Sequence, residues 1–121
     1  MSSILIVDDS ASIRQAVKIA LSRLGHSVSE AANGSEGVQK ATAAKFELIV
    51  TDLNMPVMDG LSMIRKLRTN TSYAGVPIVF LTTESDAGVK QQAKAAGATG
   101  WITKPFDSDQ LSRIVTKVLS K

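Results

Sequence analysis

The sequence contains no cysteine and few aromatic residues, and each shortage excludes a kind of site. Without cysteine, disulfides and thiolate metal sites are ruled out. Aromatic residues make up only 4% of the chain, which leaves little surface on which nucleic-acid bases could stack. We therefore interpret the formal charge of +3 as ordinary solvated lysines, and we do not expect nucleic acid to be a partner.

Long hydrophobic runs are also missing. No stretch approaches the roughly 20 apolar residues that a membrane span requires, and the first residues carry neither the basic region nor the cleavage site of a signal peptide. We therefore expect a cytoplasmic protein without a membrane partner. A length of 121 residues with 44% hydrophobic content suits one packed core. Residues 1–121 are predicted to form a single domain.

The chain does contain a regular alternation of two kinds of segment. Short apolar runs predict strands at 4–7, 28–31, 48–51, 78–81 and 101–102, and the first, third and fourth are apolar enough to be buried on both faces. Helical spacing predicts a first helix that begins at residue 9 or 10 and ends at Gly25. It also predicts three helices over 35–45, 61–68 and 87–96, and a last helix that begins after a cap at Asp107. This alternation predicts an α/β fold with a doubly wound, five-stranded parallel sheet of flavodoxin-like order 2-1-3-4-5.

Polar residues follow four of the predicted strands. Asp8 and Asp9 come after the first, Asp52 after the third, Thr82 at the end of the fourth and Lys104 after the fifth. Because ligands of open parallel sheets bind at the carboxyl ends of the strands, we expect these groups to converge on one rim. Taken singly, Asp9 could be a helix cap, Thr82 a strand-end hydroxyl and Lys104 a solvated amine.

Three converging carboxylates repel one another unless a cation or a proton intervenes. Oxygen ligands without cysteine or histidine favour magnesium or calcium, and magnesium commonly takes one or two carboxylates together with phosphate oxygens. A remaining carboxylate, Asp52, could then act as a nucleophile towards phosphorus. Lys104 and the hydroxyl of Thr82 could offset the charge on the phosphoryl oxygens. The sequence therefore indicates magnesium-assisted phosphoryl chemistry.

Five motifs, in this order and spacing, resemble the receiver domains of bacterial response regulators. They are Val7-Asp8-Asp9-Ser10, Thr51-Asp52-Leu53-Asn54-Met55-Pro56, Asp59-Gly60, Leu81-Thr82-Thr83-Glu84 and Lys104-Pro105-Phe106. The resemblance covers nearly the whole chain, and the motifs are specific as a set. It implies a phosphorylation switch in two-component signal transduction, in which a sensor histidine kinase supplies the phosphoryl group.

The resemblance also implies a role for each site residue. Asp52 is the expected phosphoacceptor, and the expected Mg²⁺ ligands are Asp8, Asp9, Asp52 and the backbone carbonyl of Asn54. Thr82 and Lys104 are expected to contact the phosphoryl group, and the peptide bond from Lys104 to the following proline is expected to be cis.

A further implication concerns the output of the switch. Phosphorylation is expected to pull Thr82 inward and to let the aromatic side chain at position 101 turn inward, which changes the partners of the face formed by helix 4, strand 5 and helix 5. Trp101 stands where tyrosine is usual in this family, and Thr83 stands where alanine is common. The alternative for Trp101 is a half-buried strand aromatic without a switching role.

The chain ends about where a receiver domain ends, as in the stand-alone chemotaxis regulators of this family. Asn54 and Glu84 match a residue pair that in these regulators tunes hydrolysis of the aspartyl phosphate. The implied partners are a chemotaxis-type histidine kinase, the flagellar motor switch and a phosphatase, and the protein is expected to be a monomer and not an enzyme. The alternative is a phosphorelay intermediate or phosphate sink that does not bind the motor.

Two other function classes fit less well. A phosphatase of the haloacid-dehalogenase type would place a second aspartate two residues after its nucleophile, whereas position 54 is asparagine. A flavodoxin-type flavin module would carry a phosphate-binding loop after strand 1, where Asp8 and Asp9 would repel the phosphate. The lone His26 is expected to be a turn residue that faces solvent.

Overall fold

The computed structural model describes residues 2–84 and 86–120, and it shows strands and helices that alternate along the chain. The strands are β1 (Ser3–Val7), β2 (Ser27–Ala31), β3 (Leu48–Thr51), β4 (Ile78–Thr82) and β5 (Gly100–Thr103). The α-helices are α1 (Ala11–Ser22), α2 (Gly34–Ala43), α3 (Gly60–Arg68), α4 (Ala87–Ala96) and α5 (Ser108–Leu119). The predicted elements are confirmed to within a few residues, but the short 3-10 helix at Thr71–Tyr73 was missed.

The five strands form one parallel sheet in the order β2-β1-β3-β4-β5, which confirms the predicted flavodoxin-like fold. Alternate residues of the central strands point to opposite faces, so each face has its own core cluster. Leu5, Ile49 and Phe80 belong to one cluster, and Ile4 and Val50 belong to the other. Helices cover both faces, which explains why the central strands are almost continuously apolar.

Local signals in the sequence set the ends of α1. Its N-terminus is capped by Ser10, whose hydroxyl accepts a hydrogen bond from the backbone N–H of Ile13 at 3.3 Å. At the C-terminus, the N–H of Gly25 donates to the carbonyl of Ser22, and the N–H of His26 donates to that of Leu21. This pair of bonds is a Schellman motif, and Gly25 has the positive φ (88°) that the motif requires, as predicted.

Within the described ranges, no helix is both long enough and apolar enough to cross a membrane.

Tyr73 connects the 3-10 helix to the end of α2 and is fully buried. Its hydroxyl accepts a hydrogen bond from the N–H of Phe46 (3.1 Å) and lies 2.7 Å from the carbonyl of Ala41 and 2.9 Å from that of Ala44.

We expect Tyr73→Phe to lower the free energy of unfolding by about 2 kcal/mol, because buried backbone groups lose their partner. Urea denaturation would measure this, and an unchanged midpoint would show that water replaces the hydroxyl.

The expectation that His26 faces solvent without a partner was wrong. Its Nδ1 accepts a hydrogen bond from the backbone N–H of Ser2 at 3.1 Å, and the ring is partly buried. Burial lowers the pKa of His26 below its usual 6.5, although the charge of Glu47 acts in the opposite direction. The contact was not predictable from local sequence, because it depends on the pairing of β1 with β2.

This contact predicts a pH dependence of stability. The unfolded chain binds a proton at His26 more readily than the folded chain, so the stabilisation is complete above about pH 6.5 and is lost as the pH falls below that value. Between pH 7.5 and 5.5, the urea midpoint of the wild-type protein should therefore fall more than that of His26→Gln. Equal falls in the two proteins would contradict a contribution from His26.

Candidate functional site

The sheet order brings the polar strand ends to one rim. In the register of β1 with β3, Val7 lies opposite Thr51, so the next residues, Asp8 and Asp52, are neighbours. The N–H of Asp52 donates to the carbonyl of Val7 at 2.9 Å, which fixes this juxtaposition. On the other side of β3, the backbone N–H of Lys104 donates to the carbonyl of Thr82 at 2.8 Å. The predicted convergence of the strand-end groups is therefore a feature of the structure.

Three carboxylates form a compact cluster on this rim. Asp8, Asp9 and Asp52 each offer a carboxylate oxygen, and these oxygens lie within 4.8 Å of one another. Asp8 is fully buried and Asp52 is 8% exposed, whereas Asp9 is open to solvent. The cluster is thus closed on the sheet side and accessible from the Asp9 side.

Lys104 supplies a cation to the cluster from the loop after β5. Its Nζ lies 2.7 Å from Oδ2 of Asp8 and 3.2 Å from Oδ2 of Asp52, and the side chain is 12% exposed. The peptide bond between Lys104 and Pro105 is cis, as the resemblance implied. The ammonium therefore bridges the two buried carboxylates.

Burial and charge act against each other in this group. Burial raises the pKa of Asp8, and the hydrogen bonds from Lys104 and from the backbone N–H of Ser10 only partly offset that effect. For Lys104, burial alone would lower the pKa, but the hydrogen bond to Asp8 and the charges of Asp8 and Asp52 outweigh it and raise the pKa. Lys104 is therefore a fixed cation at neutral pH.

The donor set fits a hard divalent cation. Three carboxylates and one ammonium leave a formal charge of −2 (−3 + 1) when all are ionised, and all the ligand atoms offered are oxygens. Mg²⁺ prefers such oxygens and retains several waters, which the open Asp9 side can accommodate. Asn54 is exposed and lies two residues after Asp52 in the loop after β3. The chemistry of these residues is thus compatible with the predicted magnesium site.

Asp52 and Thr82 are held in defined positions. Oδ1 of Asp52 accepts a hydrogen bond from the N–H of Leu53 at 2.7 Å, so Oδ2 is the oxygen turned to Lys104. The buried hydroxyl of Thr82 accepts a bond from the N–H of Glu84 at 3.2 Å. Within the described residues, the Thr82 side chain makes no hydrogen bond to Asp52 or Lys104. Thr82 is near the cluster in the fold but contacts the β4–α4 loop.

Trp101 lies on β5, outside the carboxylate cluster. The indole is half-buried, its ring centre is 5.6 Å from that of Phe80, and the Nζ of Lys90 lies 5.6 Å from its ring centre on the α4 side. Its Nε1 is buried and has no hydrogen-bond partner among the described residues. Trp101 therefore contacts β4 through the ring of Phe80 and α4 through a cation–π contact with Lys90.

One set of contacts beside the site was missed by sequence reasoning. Arg14 on α1 donates from Nη1 to the backbone carbonyl of Asp8 at 2.5 Å and from Nε to Oε1 of Glu30 at 3.1 Å. No motif indicated this, because Glu30 lies on β2 and meets Arg14 only once the sheet has formed. The only available signal was an arginine in the first half of a helix that follows an acidic pair.

Comparison with known proteins agrees with this geometry. The family described as response regulator receiver domain matches residues 4–116. Among curated proteins, the chemotaxis protein CheY1 of Helicobacter pylori is 38% identical over 118 residues, which cover 96% of this chain and 95% of that protein.

Solved structures support the same relationship. The chemotaxis response regulator CheY4 of Vibrio cholerae is 44% identical, with a TM-score of 0.93 over 98% of each chain. The receiver domain of the sensor histidine kinase PA1611 from Pseudomonas aeruginosa, solved with a magnesium ion in its active-site cleft, is 29% identical with a TM-score of 0.91, over 99% of this chain and 98% of that one.

The family match spans most of the chain, and the matched region contains the carboxylate cluster, Thr82 and Lys104. The sheet order and the relatives at 38% and 44% identity point the same way. The chain belongs to the response-regulator receiver domain family and is a homologue of the CheY chemotaxis regulators of two-component signalling.

Proposed function

We propose that the chain is a phosphorylation switch in which Asp52 accepts a phosphoryl group from a sensor histidine kinase. The observation that carries the proposal is the convergence of three carboxylates and one ammonium around a nearly buried Asp52. In the transfer, a carboxylate oxygen of Asp52 attacks phosphorus and the P–N bond to the kinase histidine breaks, with its electron pair left on the ring nitrogen. The other ring nitrogen of the phosphohistidine, in its protonated form, already carries a proton, so the imidazole leaves as the neutral ring. The products are an acyl phosphate on Asp52 and a neutral kinase histidine.

The residues around Asp52 have complementary roles in this proposal. Asp8, Asp9, Asp52 and the backbone carbonyl of Asn54 would hold Mg²⁺, which when bound supplies positive charge to the phosphoryl oxygens. Lys104, already at Asp52 Oδ2, gives up its contact with that oxygen and pairs with a phosphoryl oxygen.

Thr82 completes the proposed contacts with the phosphoryl group. Its hydroxyl can donate one hydrogen bond to a phosphoryl oxygen while it still accepts from the N–H of Glu84. That bond would draw the loop after β4 towards the site. Because the loop leads into α4, the movement reaches the face on which Trp101 lies.

The chain acts in this proposal as a phosphoacceptor rather than as an enzyme. Each transfer modifies Asp52 itself, and the aspartyl phosphate is then hydrolysed, with a phosphatase as a further partner. Asn54 is exposed two residues after Asp52, and Glu84 is partly exposed two residues after Thr82. We propose that these two side chains tune the access of the attacking water and therefore the lifetime of the phosphate.

The output surface in this proposal is the α4–β5–α5 face. A groove of about 320 Å³ lies between α4 and β5, with an apolar floor that includes Ala93 and Trp101 and a rim that carries Lys90 and Lys94. These lysines favour an acidic, partly apolar target segment. By analogy with the chemotaxis relatives, the proposed target is the flagellar motor switch, and the protein would act as a cytoplasmic monomer.

Incubation with phosphoramidate tests the proposal without a kinase. Intact mass should show one phosphoryl adduct in the presence of Mg²⁺ and none when the metal is chelated with EDTA. The adduct should be stable in acid and labile in base, as expected of an acyl phosphate. An adduct that forms equally well in EDTA, or no adduct with Mg²⁺, would contradict the proposed function.

A binding experiment separates motor control from a role as phosphorelay intermediate or phosphate sink. The phosphorylated chain should bind an acidic peptide from a motor switch protein more tightly than the unphosphorylated chain. Equal, weak binding of both forms by a chain that still takes up phosphate would favour the phosphate sink. Trp101 fluorescence gives the readout, because the indole lines the proposed groove.

A further inference from the structure

Asp8 is fixed from several sides, and one of these contacts is to the peptide unit that joins it to Asp9. The N–H of Asp8 donates to the carbonyl of Ala31 on β2 at 3.0 Å, and Oδ1 of Asp8 accepts from the N–H of Ser10 at 2.9 Å. The carbonyl of Asp8 accepts from Nη1 of Arg14 at 2.5 Å. Arg14 thus holds the one polar backbone group of Asp8 that faces away from the sheet ladder.

Asp9 depends on this backbone for its position. Its carboxylate is exposed and makes no hydrogen bond to another described residue, so its side chain has no direct support. The orientation of the Asp8–Asp9 peptide plane decides where the Asp9 side chain begins. A contact that fixes the carbonyl group of Asp8 therefore also fixes the backbone position from which the Asp9 side chain extends.

Arg14 is itself anchored. Its Nε donates to Oε1 of Glu30 at 3.1 Å, and the Arg14 side chain is 18% exposed. Glu30 is held in turn by Lys18, whose Nζ lies 3.7 Å from Oε2, and its backbone carbonyl accepts a hydrogen bond from Lys40 on α2. A planar guanidinium can donate to two acceptors at once in fixed directions, which an ammonium does less well.

We propose that Arg14 is a positioning residue for cation binding: anchored on Glu30, it holds the Asp8–Asp9 peptide so that the two carboxylates meet the cation in a ready-made arrangement. The proposal rests on the magnesium-dependent function proposed above. It adds to that function a residue outside the carboxylate cluster, on α1, which couples the edge strand β2 to the site. Residues that orient metal ligands typically contribute 10- to 100-fold to metal affinity.

The direction of the change in Mg²⁺ affinity distinguishes a positioning role of Arg14 from a purely electrostatic one. Arg14 is a cation near an acidic site, so the loss of its charge alone would strengthen the binding of Mg²⁺ by reducing repulsion. The loss of a positioning contact would weaken the binding. The two explanations therefore predict opposite changes for the same substitution.

Calorimetric titration of the full chain with Mg²⁺ tests the proposal. We expect Arg14→Met to bind Mg²⁺ about tenfold more weakly than the wild type. Arg14→Lys keeps the charge but lacks the planar guanidinium that donates to two acceptors, so it should also bind Mg²⁺ more weakly. Phosphorylation by phosphoramidate should return to nearly the wild-type rate when Mg²⁺ is raised to saturation, because only the affinity is affected.

Lys18→Met is the matched control, because Lys18 lies on the same helix and pairs with the same Glu30 but does not contact Asp8. It should keep the wild-type affinity or bind slightly more tightly. The proposal is overturned if Arg14→Met binds Mg²⁺ as tightly as the wild type or more tightly, or if Lys18→Met loses as much affinity. If Arg14→Met does not fold, Arg14→Lys, which keeps the charge, must show the loss. A wild-type chain that binds no Mg²⁺ would instead refute the underlying function.

Discussion

Asp52→Asn is expected to abolish the phosphoryl adduct completely. The amide is not an effective nucleophile towards phosphorus, and its neutral side chain also removes one oxygen anion from the proposed cation site. The shape of the side chain is nearly unchanged, and the hydrogen bond from the N–H of Leu53 can be made to the amide oxygen. Intact mass after incubation with phosphoramidate and Mg²⁺ measures the effect directly.

Asp59→Asn is the matched control for this experiment. Asp59 is an exposed aspartate on the same β3–α3 connection, where it caps α3 by accepting from the N–H of Ser62 at 2.8 Å. Asparagine caps a helix about as well, so the fold should be preserved. This variant should take up the phosphoryl group like the wild type. An adduct on Asp52→Asn would mean that Asp52 is not the acceptor. Its loss from Asp59→Asn would mean that the effect of the Asp52 substitution is not specific to that carboxylate.

Gly60→Ala is expected to have the largest effect on stability. A Cβ at Gly60 would lie 2.3 Å from the backbone carbonyl oxygen of Asp52 and 2.7 Å from Cε1 of Phe80. The backbone of Asp52 is itself fixed by its hydrogen bond to Val7, so the clash cannot be relieved cheaply. We expect a loss of about 3 kcal/mol in the free energy of unfolding, measured by urea denaturation. A displaced Asp52 should also lower the yield of the phosphoryl adduct.

Gly75→Ala provides the comparison. A Cβ at Gly75 would meet nothing within 4 Å, and its φ is not positive. Its effect on stability should therefore be neutral or slightly stabilising, because alanine reduces the entropy of the unfolded chain. If Gly60→Ala were as stable as Gly75→Ala, the close approach of α3 to the carbonyl of Asp52 would not be a constraint on the fold.

Much of the fold was predictable because the signals are local. The strands β1, β3 and β4 are buried on both faces, so their segments read as apolar runs, and helix ends such as Ser10 and Gly25 carry recognisable caps. The edge strand β5 was predicted two residues too short, because Gly100 and Thr103 at its ends are not apolar. The 3-10 helix at Thr71–Tyr73 was missed because its anchor, the Tyr73 hydroxyl, binds backbone groups far away in sequence.

For the candidate site, too, some features were predictable from the sequence and others were not. Its residues could be named from the sequence because each directly follows or ends a strand, and parallel strands present their carboxyl ends on one side. The roles of Asn54, Glu84 and Trp101 came from the resemblance, and they remain proposals. The solvent-facing interpretation of His26 failed because its partner, Ser2, lies on a different segment.

The sequence by itself determined the order of strands and helices along the chain and the residues at the strand ends, including Asp8, Asp9, Asp52 and Lys104, because these follow from segments a few residues long. Only the tertiary structure decided that Lys104 bridges Asp8 and Asp52 and that Arg14 joins Glu30 to the carbonyl of Asp8. These contacts join groups on different strands and helices. Their geometry exists only after the sheet has set the register and the packed core has fixed the helices against it.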